Sequence, residues 1–305
     1  MATTVSPAAV HPAMLGPVAV YLEDPDVIEI SLNPDGNLFV ERFGFKPVKA
    51  RKWDANSAES LIRWCASTGN RIIDKTSPIV SVMIPGQAHR IEALLPPVVG
   101  APVFSIRRHT EAPVGLNDFD WEIGGPRGSN GSGSGIAVVE RALGRRRNVV
   151  IAGSTGSGKT AFANACLGVL ARACPAERLV VIEDTPELRP ALSNTVPLRT
   201  TETVDLHRLL VSALRLAPDR IVVGECRDGA AALTLLRAWN TGHRGGITTL
   251  HANGAGEVVA RLDMLCSEVA VTSQERLIRA TVDIVIYLER GAGRPSVREI
   301  LEIKP

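Results

Sequence analysis

The sequence predicts an α/β protein in two parts. A smaller α+β domain with an antiparallel sheet precedes a larger domain with a mainly parallel sheet. Three observations predict this. Between Val27 and Arg108, short apolar strands and tight turns surround a single amphipathic helix. From Asn148 onward, apolar strands alternate with helices, the pattern of a parallel sheet covered on both faces. Between them Gly124 to Gly135 reads Gly-Gly-Pro-Arg-Gly-Ser-Asn-Gly-Ser-Gly-Ser-Gly, the composition of a flexible linker. The expected organisation is a tail over 1–20, a first domain over 21–120, a linker over 121–135 and a second domain over 136–305.

Each element has its own signal. Val27–Leu32 and Asn37–Glu41 are strand-like runs joined by the turn Asn33-Pro-Asp-Gly36. Asp54 is a good N-cap for a helix to Thr68, with Ala58, Leu61, Ile62 and Cys65 on one face and Gly69 as its stop. Ile79–Ile84, His89–Leu95 and Pro102–Arg108 complete the first sheet. In the second part, strands are expected over Val149–Ala152, Arg178–Glu183, Arg220–Gly224, Ile247–Leu250, Asp283–Leu288 and Val297–Ile303. Helices are expected over Ala161–Ala173, Val204–Leu216, Asp228–Trp239, Glu257–Cys266 and Ser273–Thr281. In the second of these Leu206, Leu209, Leu210, Ala213 and Leu214 face inward. The last two strands flank the turn Gly291-Ala-Gly293.

The 305 residues suffice for two domains, and 45% hydrophobic with 22% charged residues is ordinary for a soluble globular chain. A formal net charge of +2 and 4% aromatics give no signature of direct nucleic-acid binding. The cysteines, Cys65, Cys166, Cys174, Cys226 and Cys266, are odd in number and form no C-x-x-C pair. That argues against a disulfide framework and a zinc site, and for small buried thiols in a reducing compartment. Met1 to Val20 lacks a basic start and a long apolar core, so it does not read as a signal peptide. No run approaches the roughly 18 apolar residues of a membrane span, and the expected location is cytoplasmic.

The firmest chemical signal is Gly153-Ser154-Thr155-Gly156-Ser157-Gly158-Lys159-Thr160, a G-x-x-x-x-G-K-T phosphate-binding loop between a strand and a helix that opens near Ala161. Its glycines let the backbone N–H groups converge, and the helix N-terminus adds partial positive charge. Lys159 is expected to reach the β- and γ-phosphates of ATP, and the Thr160 hydroxyl to hold Mg²⁺.

Three other strand ends fall on the same edge of the sheet, where open α/β folds bind ligands. Asp219-Arg-Ile-Val-Val-Gly-Glu225 ends in a carboxylate suited to Mg²⁺, directly or through water, or to the attacking water. Val181-Ile-Glu183-Asp184-Thr-Pro-Glu187 ends in further carboxylates, so that Glu183 and Glu225 flank one γ-phosphate, with their division of labour open. Asp184 reads equally as a turn cap and Glu187 as a surface charge. Gly245-Gly-Ile-Thr-Thr-Leu-His251-Ala-Asn253 delivers a histidine to the same edge, which reads either as a structural group or, from its place after a strand beside Thr248 and Thr249, as a sensor of that phosphate.

Taken in order, GSTGSGKT, VIEDTPEL, LRLAPDRIVVGE and TGHRGGITTLHAN resemble the Walker A loop, Asp box, Walker B strand and His box of the type II, type IV and conjugal secretion ATPases. They cover Asn148 to Asn253. The run Ala238-Trp-Asn-Thr-Gly-His243 resembles the TrbB-like conjugal-transfer branch. Asp228 where a Gly is common and Arg244 where a Pro is common are its departures. The resemblance implies a RecA-like P-loop ATPase domain, a homo-hexameric ring, and a cytoplasmic motor held peripherally at the bacterial inner membrane with secretion or conjugation proteins as partners. It also implies arginines that complete the site. Val103-Phe-Ser-Ile-Arg107-Arg108-His109-Thr110 resembles the segment that supplies them, with Arg107 first and Arg90 and Arg108 behind it. Arg199, Arg215 and Arg227 read as interface, sensor or salt-bridge residues. The competing readings are a pilus-assembly ATPase of the same superfamily, a ring motor acting on DNA, and a small-molecule kinase.

Overall fold

The computed structural model describes residues 12–42, 45–87, 89–108, 115–123, 132–201, 203–291 and 294–303. Most of the glycine-rich stretch, His109, Thr110, Ala292 and Gly293 lie outside the described residues. Contacts divide the chain into two compact units, Met1–Ala112 and Pro113–Pro305.

In the first unit two single helical turns, α1 (Pro12–Leu15) and α2 (Ala19–Leu22), lead into β1 (Val27–Leu32), β2 (Asn37–Arg42) and β3 (Val48–Lys52). Helix α3 (Ala55–Thr68), β4 (Ile79–Met83), β5 (Arg90–Leu94) and β6 (Val103–Arg107) follow. The sheet order is β3-β2-β1-β6-β5-β4, with every neighbouring pair antiparallel. Ile30 stands opposite Val40 and Ile106, so alternate residues form one apolar face. Ala58, Leu61, Ile62 and Cys65 of α3 are buried in the same core. Asp54 caps that helix by accepting from the Ser57 N–H at 2.9 Å. Strand β3 was not expected, because all five of its residues are exposed and show no apolar alternation.

The second unit begins with a 3₁₀ turn over Leu116–Asp118 and β7 (Asp120–Trp121). It continues through α4 (Ser132–Gly144), β8 (Val149–Gly153), α5 (Lys159–Ala173), β9 (Leu179–Glu183) and β10 (Thr195–Arg199). Then come α6 (Leu206–Ala213), β11 (Arg220–Val223), α7 (Gly229–Asn240), β12 (Ile247–Leu250), α8 (Val258–Cys266), α9 (Glu275–Thr281), β13 (Ile284–Arg290) and β14 (Pro295–Glu302). The strand order is β10-β9-β11-β12-β8-β13-β14-β7, parallel except for the β13–β14 hairpin. Both faces are buried. Val149 and Ile151 join the core with α4 and α5, while Val150 and Ala152 join the core with α6 to α9. Leu214, expected inward, is 37% exposed just past the end of α6.

The expected domain limits and the observed grouping differ over three short stretches, the first within the expected tail over 1–20, where Leu15 and Val18 are buried in the first unit's core. Leu116 and Phe119 are buried in the second unit's core and β7 pairs with β14, so residues 115–123 group with that unit. Ser132–Gly135, expected as linker, form the first turn of α4. A methyl group on Gly135 would stand 2.5 Å from the Trp121 ring, so its glycine allows close packing there. Among the described residues no helix is long and apolar enough to cross a membrane.

Candidate active site

The loop between β8 and α5 is built on its glycines. Gly156 and Gly158 have φ of +73° and +89°, a region that disfavours any side chain. A methyl group on Gly158 would also lie 2.7 Å from Pro295, and one on Gly153 2.4 Å from the Leu288 carbonyl oxygen. Lys159 is the first residue of α5 and is only 8% exposed. Its Nζ donates to the carbonyls of Gly153, at 3.0 Å, and Ser154, at 2.7 Å. Ser157 is fully buried, and its hydroxyl has no hydrogen-bond partner among the described residues. A buried ammonium, an unmatched hydroxyl and a helix N-terminus around a left-handed loop fit an anionic group such as a polyphosphate. Thr160 and Ala161 are half-buried in the first turn of α5.

Two side chains from separate strand ends, His251 and Glu225, form one line of contacts with this lysine. His251, just past β12, has Nδ1 3.4 Å from Lys159 Nζ and Nε2 2.9 Å from Glu225 Oε1. The ammonium has only protons to give, so Nδ1 is the acceptor and Nε2–H donates to the carboxylate. Burial and the positive charge of Lys159 lower the pKa of His251 below its ordinary value, with Glu225 opposing them. At neutral pH the ring is therefore held uncharged in that tautomer. Glu225 Oε2 accepts from Arg227 Nη2 at 2.6 Å, and Arg227 Nη1 lies 3.8 Å from Asp184. Burial alone would raise the Glu225 pKa. Arg227, His251 and Lys159 outweigh it, so the carboxyl sits below its usual range.

Glu183, the last residue of β9, has the opposite character. It is 8% exposed, and burial pushes its pKa up to about 7 against two backbone hydrogen bonds. Its Oε1 accepts from the N–H groups of Glu187, at 2.9 Å, and Leu188, at 2.8 Å, so it organises the following turn. Gly224 leaves it room: a methyl group there would stand 3.0 Å from Glu183 Cγ. Asp184 accepts from the Thr200 hydroxyl. Glu187 is half-buried.

The arginines divide clearly. Arg227 belongs to the contact line, Arg199 and Arg215 are exposed, and Arg107 is exposed at the end of β6 in the first unit. Arg108 donates to the carbonyls of Leu22 and Pro25, and Arg90 to the Ser81 hydroxyl, so both serve their own unit. Beside the loop opens a cleft of about 600 Å³, lined by Ser154, Thr155, His251, Asn253, Arg261 and Met264 among others. Sequence reasoning missed Arg261, and it missed Pro295 and Arg290 on the β13–β14 hairpin. The signal for the hairpin was present, a pair of arginines flanking Gly291 and Gly293 after a strand that ends at the ligand-binding edge.

The model of the type II/IV secretion system protein family matches residues 132–292. The chain is similar to the conjugal transfer protein TrbB of Rhizobium radiobacter, 43% identical over 94% of this chain and 87% of that one. Among solved structures it is similar to the VirB11 ATPase of the Brucella suis type IV secretion system in complex with sulphate, at 25% identity. That match covers 95% of this chain and 96% of that one, with a TM-score of 0.50. The Legionella pneumophila ATPase DotB shares its fold at 19% identity and a TM-score of 0.65, over 95% of this chain and 80% of that one. On its four motifs, its fold and these similarities, the chain belongs to the type II/IV secretion system protein family, as a relative of the TrbB conjugal transfer proteins.

Proposed function

We propose that the protein is an ATP-hydrolysing motor of a conjugal or type IV secretion system, working as a homo-hexamer on the cytoplasmic side of the bacterial inner membrane. The observation that carries the chemistry is the contact line Lys159–His251–Glu225, which joins the phosphate loop to two other strand tips. The loop amides and Lys159 hold the β- and γ-phosphates, and the Ser157 hydroxyl gains a partner there. The Thr160 hydroxyl and the Glu225 carboxylate are hard oxygen donors that suit Mg²⁺. When bound, that ion neutralises charge on the phosphates.

The two carboxylates divide by their environments. Glu225, held ionised, takes the cation side. Glu183, with a pKa of about 7, takes the proton of the attacking water at neutral pH. His251 keeps Glu225 and Lys159 in register, so that a γ-phosphate which draws the Lys159 ammonium toward itself is felt at Glu225 through the ring. Arg107 is the arginine proposed to meet the charge that develops in the transition state. Similarity to TrbB favours conjugal transfer over pilus assembly as the process driven.

Sedimentation velocity with and without Mg²⁺ and a non-hydrolysable ATP analogue tests the ring. The expected product with nucleotide is a hexamer. A monomer under both conditions contradicts the motor reading.

A further inference from the structure

We propose that Arg290, on the β13–β14 hairpin, binds the nucleoside-diphosphate part of the nucleotide, on the flank of the loop opposite Glu225 and His251. The assignment rests on the nucleotide reading of the loop and adds a ligand to it.

Strand β8, which carries the loop, has two neighbours. On one side β12 pairs Leu250 with Ala152 and ends there, just before His251. On the other side β13 pairs Leu288 with Gly153 and runs two residues further, to Arg290. At roughly 3.3 Å per residue this places Arg290 about 7 Å beyond the level of Gly153, alongside the loop. Its Nη1 lies 4.0 Å from where a methyl group on Gly156 would stand. The returning strand puts Pro295 2.7 Å from the corresponding position on Gly158. The hairpin thus meets the loop at three of its glycines: Leu288 at Gly153, Arg290 at Gly156 and Pro295 at Gly158.

The charges on the two flanks differ. The β12 flank carries His251 and, beyond it, the carboxylates Glu225 and Glu183, which suit a cation, a water and the γ-phosphate. A triphosphate is a linear chain. With its γ end at those groups, its diphosphate end and nucleoside leave the loop toward the other flank. Two arginines, Arg290 and Arg294, flank the hairpin turn, and Arg290, which is exposed to an arriving ligand, is the one whose guanidinium stands beside the loop at Gly156. Its planar fork suits the paired oxygens of adjacent phosphates. Glu289, the adjacent acid in the sequence, lies 3.0 Å from Arg298 and pairs with it.

The test is ADP binding in the presence of Mg²⁺ by titration calorimetry on the full chain, together with steady-state turnover, for wild type, Arg290→Ala and Arg290→Lys. Arg290→Ala is expected to weaken ADP about tenfold, to raise KM for ATP by the same factor and to leave kcat unchanged. Arg290→Lys is expected to recover part of the loss, with the thermal midpoint unchanged in both variants. Unchanged ADP affinity in Arg290→Ala overturns the assignment. So does a fall in kcat with ADP affinity intact, because that places Arg290 at the γ-phosphate. The failures are distinguishable. If wild type itself binds no ADP, the nucleotide reading of the loop falls as well. If wild type binds, Lys159→Ala does not and Arg290→Ala binds as wild type, only the role of Arg290 falls.

Discussion

His251 stands between Lys159 and Glu225, accepting from the ammonium side through Nδ1 at 3.4 Å and donating to the carboxylate through Nε2 at 2.9 Å. The ring couples the phosphate-loop lysine to the carboxylate two strands away. Substituting His251 by Ala should lower kcat about 10- to 100-fold with a small change in KM, since the contact orients groups rather than binding substrate. Steady-state phosphate release over a range of ATP concentrations measures the split. A rise in KM with kcat unchanged argues for simple substrate binding instead.

Glu183 makes a pH prediction with a definite sign. If its ionised form accepts the water's proton, kcat/KM of the wild type falls as pH drops below about 7. Glu183→Gln should lower kcat by roughly 10² to 10⁴ and remove that acidic limb. Folding stability runs the other way. The folded carboxyl, raised by burial, holds its proton above the range where the unfolded one has lost it. The folded state therefore binds more protons between the ordinary carboxylate range and about pH 7, and stability falls as pH rises through that window. Denaturant titrations at pH 5 and pH 8 should show this loss in wild type and not in Glu183→Gln.

Much of both sheets was legible because buried strands announce themselves. Val149–Gly153 and the first four residues of Leu179–Glu183 are continuous apolar runs, as strands covered on both faces must be. The strands that escaped, β3, β7 and β10, are all edge strands, where one neighbour is missing and burial is partial. Lys159, Glu225 and His251 were legible as a motif residue and two strand ends. For Arg227 a salt-bridge role was one of three readings, and the choice of Glu225 as its partner waited for the fold, since a residue two positions on has no fixed direction after a strand. The pKa of Glu183 depends on its burial and on the turn of Glu187 and Leu188, which only folding brings together. The hairpin contacts of Leu288 and Pro295 with the loop glycines depend on strand order, which local pattern does not encode.

Gly158 tests the loop's backbone independently of its charges. Gly158→Ala places a Cβ in a left-handed conformation at φ +89° and 2.7 Å from Pro295. The expected cost is about 1–3 kcal/mol of stability, read by denaturant titration, with loss of ADP binding. Gly168→Ala, where a Cβ meets only Arg172 Nη1 at 3.7 Å within helix α5, is the control that should retain both.

Arg107→Ala should lower kcat by about 10³ while ADP affinity stays near wild type, the pattern of a group that acts on transition-state charge. Arg108→Ala should instead lower thermal stability, because its guanidinium holds the carbonyls of Leu22 and Pro25.

The central claim is that this loop and the strand tips around it hydrolyse ATP. Steady-state phosphate release from Mg²⁺ and ATP, compared between the wild type and Lys159→Ala, tests it most directly. The account predicts turnover in the wild type and none above background in the variant, with the variant shown to be folded by circular dichroism. Wild-type turnover in Lys159→Ala would contradict it.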